Sequence, residues 1–353
     1  MGILWVNLGL VYSFSLLARY FSYSKSHFEN KPNMFFVLST MLCLILVSGL
    51  RSNIGDTYYY MHAFVVNEFT LETILGQKDI GFGLLQMIIK QYTNDPQVLI
   101  FLCALITNLL IVLVVYHYSR LIELSLYIYI TSGLFLVSMN GIRQFVAAAI
   151  LFAGTKFILN GDWIKFLMVV LFASAFHQSA LIMIPVYFVV RTKAWSKATL
   201  YIILGSFVFA IGFEQTSSLF FKIIEDTQYG HYVEFEEGGA NYIRVGIYSL
   251  PIIAAFLARN RLGQIFPYSD YLVNLSIIGL VFMIISTQNW IFARFSIYFS
   301  LYQLILITWI VKSFRHHDQK FVYYLILIFY ALFFYYEHVV TLNVFYKSDF
   351  IQF

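Results

Sequence analysis

Residues 97–118 read QVLIFLCALITNLLIVLVVYHY, a run without an acidic residue, lysine or arginine. At roughly 1.5 Å of rise per residue, a helix of that length crosses the roughly 30 Å hydrocarbon layer of a bilayer. The same apolar texture recurs along the chain. Segments at 3–18, 34–50, 97–118, 122–139, 143–160, 163–176, 179–190, 199–213, 245–258, 270–287, 292–312 and 321–340 predict an all-α, polytopic integral membrane protein with 11 or 12 transmembrane helices. Composition agrees: 353 residues, 60% hydrophobic and 11% charged, with a mean hydropathy of +0.77. A soluble domain carries about 25% charged residues. The deficit runs the whole length, so residues 1–353 read as a single integral domain, with neither an internal repeat nor a linker.

Aromatic residues reach 20%, and Tyr and Trp suit the two interfacial belts. The formal net charge of +4 reports the orientation of basic loops and implies no nucleic-acid partner. Cys43 and Cys103 both lie in apolar segments, without disulfide or metal-ligand spacing. The first 20 residues lack a basic leader region and a small-residue cleavage site, and read as a first span.

Two stretches do not fit a simple span count. Lys165 to Arg191 is long for one span and short for two, and Phe176-His177-Gln178-Ser179 stands at its middle. It reads as two short helices meeting near the outer surface. Ile80 to Tyr92 is too short to span and reads as an interfacial or re-entrant helix. With those choices the loops 19–33, 119–121, 160–165, 191–198, 259–264 and 312–320 hold most of the Lys and Arg and face the cytoplasm. The amino terminus is then outside. The two long outer loops are 51–96 and 214–243, the second rich in Asp and Glu.

Four arginines break this pattern. Arg51, Arg143, Arg244 and Arg294 each lie at the outer end of an apolar segment. A cation held at the membrane boundary on the unfavoured side needs a local reason. Several together suggest a pocket for an anionic group, such as a lipid-linked phosphate.

Their neighbours sharpen that reading. Arg51 opens a loop containing Gly55, Asp56, Tyr58 and Tyr60. Gly55 permits a turn, and Asp56 could hold Arg51, bind a sugar hydroxyl, act as a base, or simply cap a short helix. Asn140-Gly141-Ile142-Arg143-Gln144 places Arg143 at a helix N-terminus, where the dipole already favours anions and a guanidinium matches phosphate oxygens. A headgroup-seeking arginine would need neither Gly141 nor Gln144. His177 could take a proton from a hydroxyl near neutral pH, or serve as a hydrogen-bonded structural residue. Arg244 and Arg294, the latter with Tyr298 one turn on, could instead pair with the acidic loop. His316 and His317 read as part of a solvated basic loop. There is no phosphate-binding Gly-x-x-x-x-Gly-Lys loop, no Gly-x-Ser-x-Gly elbow and no His-Glu-x-x-His. No metal or cofactor is expected.

The chain resembles the EpsG family of Wzy-like bacterial exopolysaccharide polymerases. The resemblance rests on Gly49-Leu50-Arg51 with Gly55-Asp56-Thr57 and Tyr60, then Asp79-Ile80-Gly81-Phe82. It continues through Ile142-Arg143-Gln144 and its alanine run, Phe176-His177-Gln178-Ser179, and Ala293-Arg294-Phe295. It implies a GT-C-like architecture and glycosyl transfer joining undecaprenyl-diphosphate-linked oligosaccharides, without a metal, at the outer face of the bacterial cytoplasmic membrane. The bilayer, a flippase and a chain-length regulator would be its partners. Arg51, Asp56, Arg143, His177 and Arg294 match the family's functional positions, and Arg244 matches more loosely. The catalytic set is then His177, Asp56, Arg143 and Arg294. Arg51, Tyr60, Gln144, Gln178, Arg244 and Tyr298 would bind substrate, with Tyr58, Tyr60 and Trp290 available to stack on sugars. A lipid-linked oligosaccharide flippase, a non-catalytic scaffold and a polysaccharide O-acyltransferase are the competing readings.

Overall fold

Side chains just ahead of several helices define where those helices begin. Asn33 accepts from the Phe35 N–H at 3.0 Å, Asp95 from Gln97 at 2.9 Å, and Asn241 from Ile243 at 2.9 Å. Each satisfies a backbone donor that the first helical turn leaves open. The computed structural model describes residues 1–26, 29–76, 78–213 and 238–351. Residues 214–237, most of the expected acidic loop, lie outside that set.

The first part of the chain forms α1 (Gly2–Tyr20), a hairpin of β1 (Tyr23–Ser26) and β2 (Glu29–Lys31), then α2 (Met34–Gly49), α3 (Thr57–Val66), α4 (Leu71–Leu75), α5 (Ile80–Tyr92) and α6 (Pro96–Tyr118). The middle forms α7 (Ile122–Thr131), α8 (Leu134–Asn140), α9 (Ile142–Ala153), α10 (Thr155–Asn160), α11 (Trp163–Phe176), α12 (Met183–Val189) and α13 (Lys197–Ile211). The last part forms α14 (Tyr242–Leu257), α15 (Arg259–Ile265), α16 (Ser269–Ile285), α17 (Ile291–Ser313) and α18 (His316–Phe334). A 3-10 turn (Gln178–Ile182) leads into α12, and a π turn (Tyr335–Thr341) extends α18.

Helices α1, α6, α17 and the extended α18 are long and apolar enough to cross a membrane. Among the described residues the count is up to six if the bent pairs α7/α8 (55°) and α14/α15 (80°) are each one span. Six shorter apolar helices complete the set, and each of the twelve sequence segments falls on one of these elements. The short hairpin of strands and the helical turn over 259–265 were both read as plain loop. Many of the lipid-suited residues, such as Leu325, Ile328 and Leu332 on α18, point outward. The core runs along α17, which is buried for most of its length against α7, α9 and α16.

Successive elements run between two ends of the bundle. At one end, Gln97 at the start of α6 donates to the Gly49 carbonyl at 2.6 Å. At the other, Trp309 near the end of α17 donates to the Tyr118 carbonyl, the last residue of α6, at 2.9 Å. The stretch 165–191 folds back on itself as expected: Phe166 stacks on Tyr187 (5.4 Å between centroids), so α11 and α12 form a hairpin with His177 at its tip. A strap over 343–351 lies across the loop after α2. The Lys347 carbonyl accepts from Ser52 N–H at 2.9 Å, and Tyr346 Oη donates to the Val47 carbonyl at 2.9 Å.

Candidate functional site

Arg143 and Arg294 each occupy the first turn of a helix, α9 and α17. Both N-termini present the positive end of a helix dipole, and the first N–H of α17 is capped by Asn289 Oδ1 at 3.0 Å. The two ends are tied together: Gln144 Nε2 donates to the Arg294 carbonyl at 2.7 Å. Ala147, Ala148 and Ala149 are all buried in α9, and α9 packs closely on α6.

Asp79, which the sequence reading left without a role, is the counter-ion of this arrangement. Its Oδ2 lies 2.8 Å from Arg143 Nη1, and its Oδ1 accepts the Gln178 N–H at 3.1 Å. The carboxylate is only 6% exposed whereas the Arg143 side chain is 41% exposed. Burial raises the Asp79 pKa, opposed by Arg143 and the Gln178 N–H. One carboxylate therefore joins α5, α9 and the tip of the α11/α12 hairpin. Gly81 lets α5 come this close, because a Cβ there would lie 2.9 Å from Ala175 Cβ. Nothing in local patterning marks a partner 64 residues away. The only signal was the quoted Asp79-Ile80-Gly81-Phe82 itself.

Tyr60 and Phe82 form an aromatic wall beside Arg143, each ring centroid 5.8 Å from its guanidinium carbon. Burial raises the Tyr60 pKa, and the charges of Arg143 and Arg294 oppose that while Asp56 adds to it. The phenol thus stands among all three charged groups. Asp56 precedes α3 but its side chain makes no cap, and its backbone N–H donates to Asn140 Oδ1 at 2.9 Å. Gly55 takes φ +55° at that turn, against Asn140.

His177 is 5% exposed. Its Nδ1 lies 2.7 Å from Ser179 Oγ and 3.2 Å from Tyr298 Oη, and those two oxygens are 2.6 Å apart. Burial first, then the charges of Arg143 and Arg294, push its pKa down to about 3. The ring is neutral in the resting protein. Arg294 lies over the Trp290 ring at 4.9 Å.

The structure therefore brings Arg143, Arg294, His177, Tyr60 and Asp56 into one neighbourhood and redistributes the other expected residues. Arg51 is a correction. It is 1% exposed, and its guanidinium donates to Thr57 Oγ1 (2.9 Å), to the Met139 carbonyl (2.6 Å) and to the Ser48 carbonyl. It fastens the loop after α2 to α8 instead of facing a ligand. Burial lowers its pKa to about 10, so it stays charged at neutral pH. Arg51→Met is expected to cost about 3 kcal/mol, because buried carbonyls lose charged donors. Thermal melting of the detergent-solubilised variant checks this, and an unchanged midpoint would refute the structural role.

Arg244 pairs with Glu337 of the π turn (2.5 Å), a carboxylate 4% exposed. Any pairing with residues 214–237 lies outside the described residues. Gln144 and Tyr298 are buried, the first bonded to the Arg294 carbonyl and the second to the His177 ring. Gln178 contributes its backbone N–H. Trp290 meets Arg294, and Tyr58 is exposed on α3. Among the described residues, no three His, Cys, Asp or Glu side chains group as metal ligands would.

Fold and site together define an all-helical polytopic membrane protein with an arginine-rich polar cluster at one end of its helices. The chain belongs to the EpsG family, whose model matches residues 34–350, nearly the whole chain. That membership points to exopolysaccharide polymerisation, a glycosyltransferase-like activity. Comparisons with curated proteins and with solved structures each return no match.

Proposed function

We propose that the cluster joins lipid-linked oligosaccharide repeat units, carried on undecaprenyl diphosphate, at the outer face of the cytoplasmic membrane. The observation that carries this reading is the convergence of two helix N-termini, each bearing an arginine in its first turn and linked by Gln144. Arg143 is partly offset by Asp79, and the two helix ends with their guanidinium groups favour a multiply charged anion.

The acceptor sugar hydroxyl attacks the anomeric carbon of the donor chain. A carbon–oxygen bond forms, the bond from that carbon to the diphosphate breaks, and undecaprenyl diphosphate leaves with the electron pair. Arg143 and Arg294 stabilise the charge that grows on the leaving diphosphate. His177, oriented by Ser179 and Tyr298, takes the hydroxyl proton. In the empty site its basicity is suppressed by burial first and by the two arginines second. A bound diphosphate offsets the two charges and raises that basicity, so the base is stronger when the donor is in place. Asp56 and Tyr60 lie where an acceptor sugar would be held.

The polar groups sit at helix ends, not at mid-length, which favours this reading over a transporter. The test is polymer formation by purified protein in nanodiscs, given only the lipid-linked repeat unit. A ladder of longer chains supports the proposal. Movement of the substrate across a liposome bilayer without a ladder would favour a flippase and sink it.

A further inference from the structure

We propose that the opposite end of the bundle holds a second anion site, built to bind a phosphate-bearing group such as the headgroup of an anionic phospholipid. A cavity of about 540 Å³ opens there, between the end of α1, the β1/β2 hairpin, the α6–α7 connection and the last turns of α17. Arg19, Lys31, Arg120 and Lys312 all line it, with His117 at its edge.

Beneath the cavity Glu123 is fully buried and paired with Arg19 at 3.1 Å. Among the described side chains lining the cavity, Arg19 is thereby offset, and Lys31, Arg120 and Lys312 share no carboxylate within ion-pair distance. Arg19 and Arg120 repel the Lys312 ammonium, which Glu123 attracts. Lys312 has one neutral partner, Gln319 Oε1 at 3.2 Å. An excess of positive charge gathered around an open cavity is costly unless an anion enters.

The floor is built, not incidental. Trp309 donates its indole N–H to the Tyr118 carbonyl at 2.9 Å and is stacked on Phe266 at 4.4 Å. The Arg120 guanidinium carbon lies 5.9 Å from the centroid of the same indole, and its backbone N–H donates to Thr308 Oγ1 at 3.2 Å. The guanidinium is exposed toward the cavity mouth while its backbone is fixed. Fixed basic side chains between helix ends at a membrane surface match the chemistry of phospholipid phosphates, worth about one factor of five in affinity per cation. This site is separate from the arginine cluster and does not depend on its assignment.

The experiment is native mass spectrometry of the full chain released from membranes containing phosphatidylglycerol, cardiolipin and phosphatidylethanolamine. It is paired with Lys31→Gln/Arg120→Gln, which leaves the Arg19–Glu123 pair intact. Retention of an anionic phospholipid is expected in the parent protein and should fall roughly tenfold or more in the variant. Thermal stabilisation by inorganic pyrophosphate alone, lost in the variant, would assign the site to a soluble phosphate and still support it. Retention that ignores headgroup charge, or that is equal in the two proteins, would overturn it. Melting of the variant at the parent's temperature shows that any loss is not misfolding.

Discussion

Replacing Arg143 by alanine is expected to eliminate polymer while the protein remains folded in the membrane. The Arg143 side chain is 41% exposed, and it is half of an ion pair whose other half is buried. Alanine removes one of two guanidinium groups that meet the leaving diphosphate. Loss of one preorganised electrostatic contact of this kind slows an enzyme by about 100- to 1,000-fold. Alanine also leaves the Asp79 carboxylate with the Gln178 N–H and the more distant charge of Lys78, and the carboxyl takes up a proton more readily to avoid an undercompensated buried charge. The double variant Arg143→Ala/Asp79→Asn separates the two effects. It should regain any lost thermal stability and still make no polymer. Arg143→Lys should also be poor, because an ammonium keeps the charge but not the fork that spans Asp79 and phosphate oxygens. Chain length on a gel, at matched protein level, is the readout. Normal polymer from Arg143→Ala would remove the diphosphate clamp.

His177→Ala should cost about 100- to 10,000-fold in rate, the range for a lost general base. The sharper test is pH. In the empty site the ring titrates near 3, so it is neutral and available across the physiological range. Protonation inactivates it, so activity falls as pH falls through its pKa. Bound diphosphate cancels the depressing charges of Arg143 and Arg294, which moves that pKa upward. The acid limb of kcat, which reports the complex, should therefore lie at higher pH than the acid limb of kcat/KM, which reports the free protein. In His177→Gln that separation should vanish. Coincident limbs in the parent protein would argue that His177 is a structural residue. Ser179→Ala and Tyr298→Phe should lower kcat more than they change KM, since both act through the ring.

The positions of the helices were available from the sequence because burial in lipid imposes long apolar runs. The 97–118 run became α6 with its boundaries nearly unchanged, and the fold-back at His177 followed from a length that fits neither one span nor two. The break between α7 and α8, the sharp turn into α15 and the β1/β2 hairpin did not register, since each is decided by a few residues without hydropathy contrast. For the cluster, Arg143, Arg294 and His177 stood out as polar groups where apolar ones were expected. Their partners did not. Asp79 meets Arg143, Glu337 meets Arg244, and Met139 accepts from Arg51, all across separations that no local pattern encodes. A buried, satisfied arginine and an anion-seeking one have the same appearance in a sequence.

The strap over 343–351 has a practical consequence. It rests on the loop that Arg51 fastens, at the same end of the bundle as the arginine cluster. A reporter joined near residue 350 is thus carried to whichever compartment the cluster faces. Alkaline phosphatase matures only outside the cytoplasm, whereas a fluorescent protein exported unfolded stays dark. A pair of such fusions would read out the sidedness of the chemistry without altering a single residue that takes part in it.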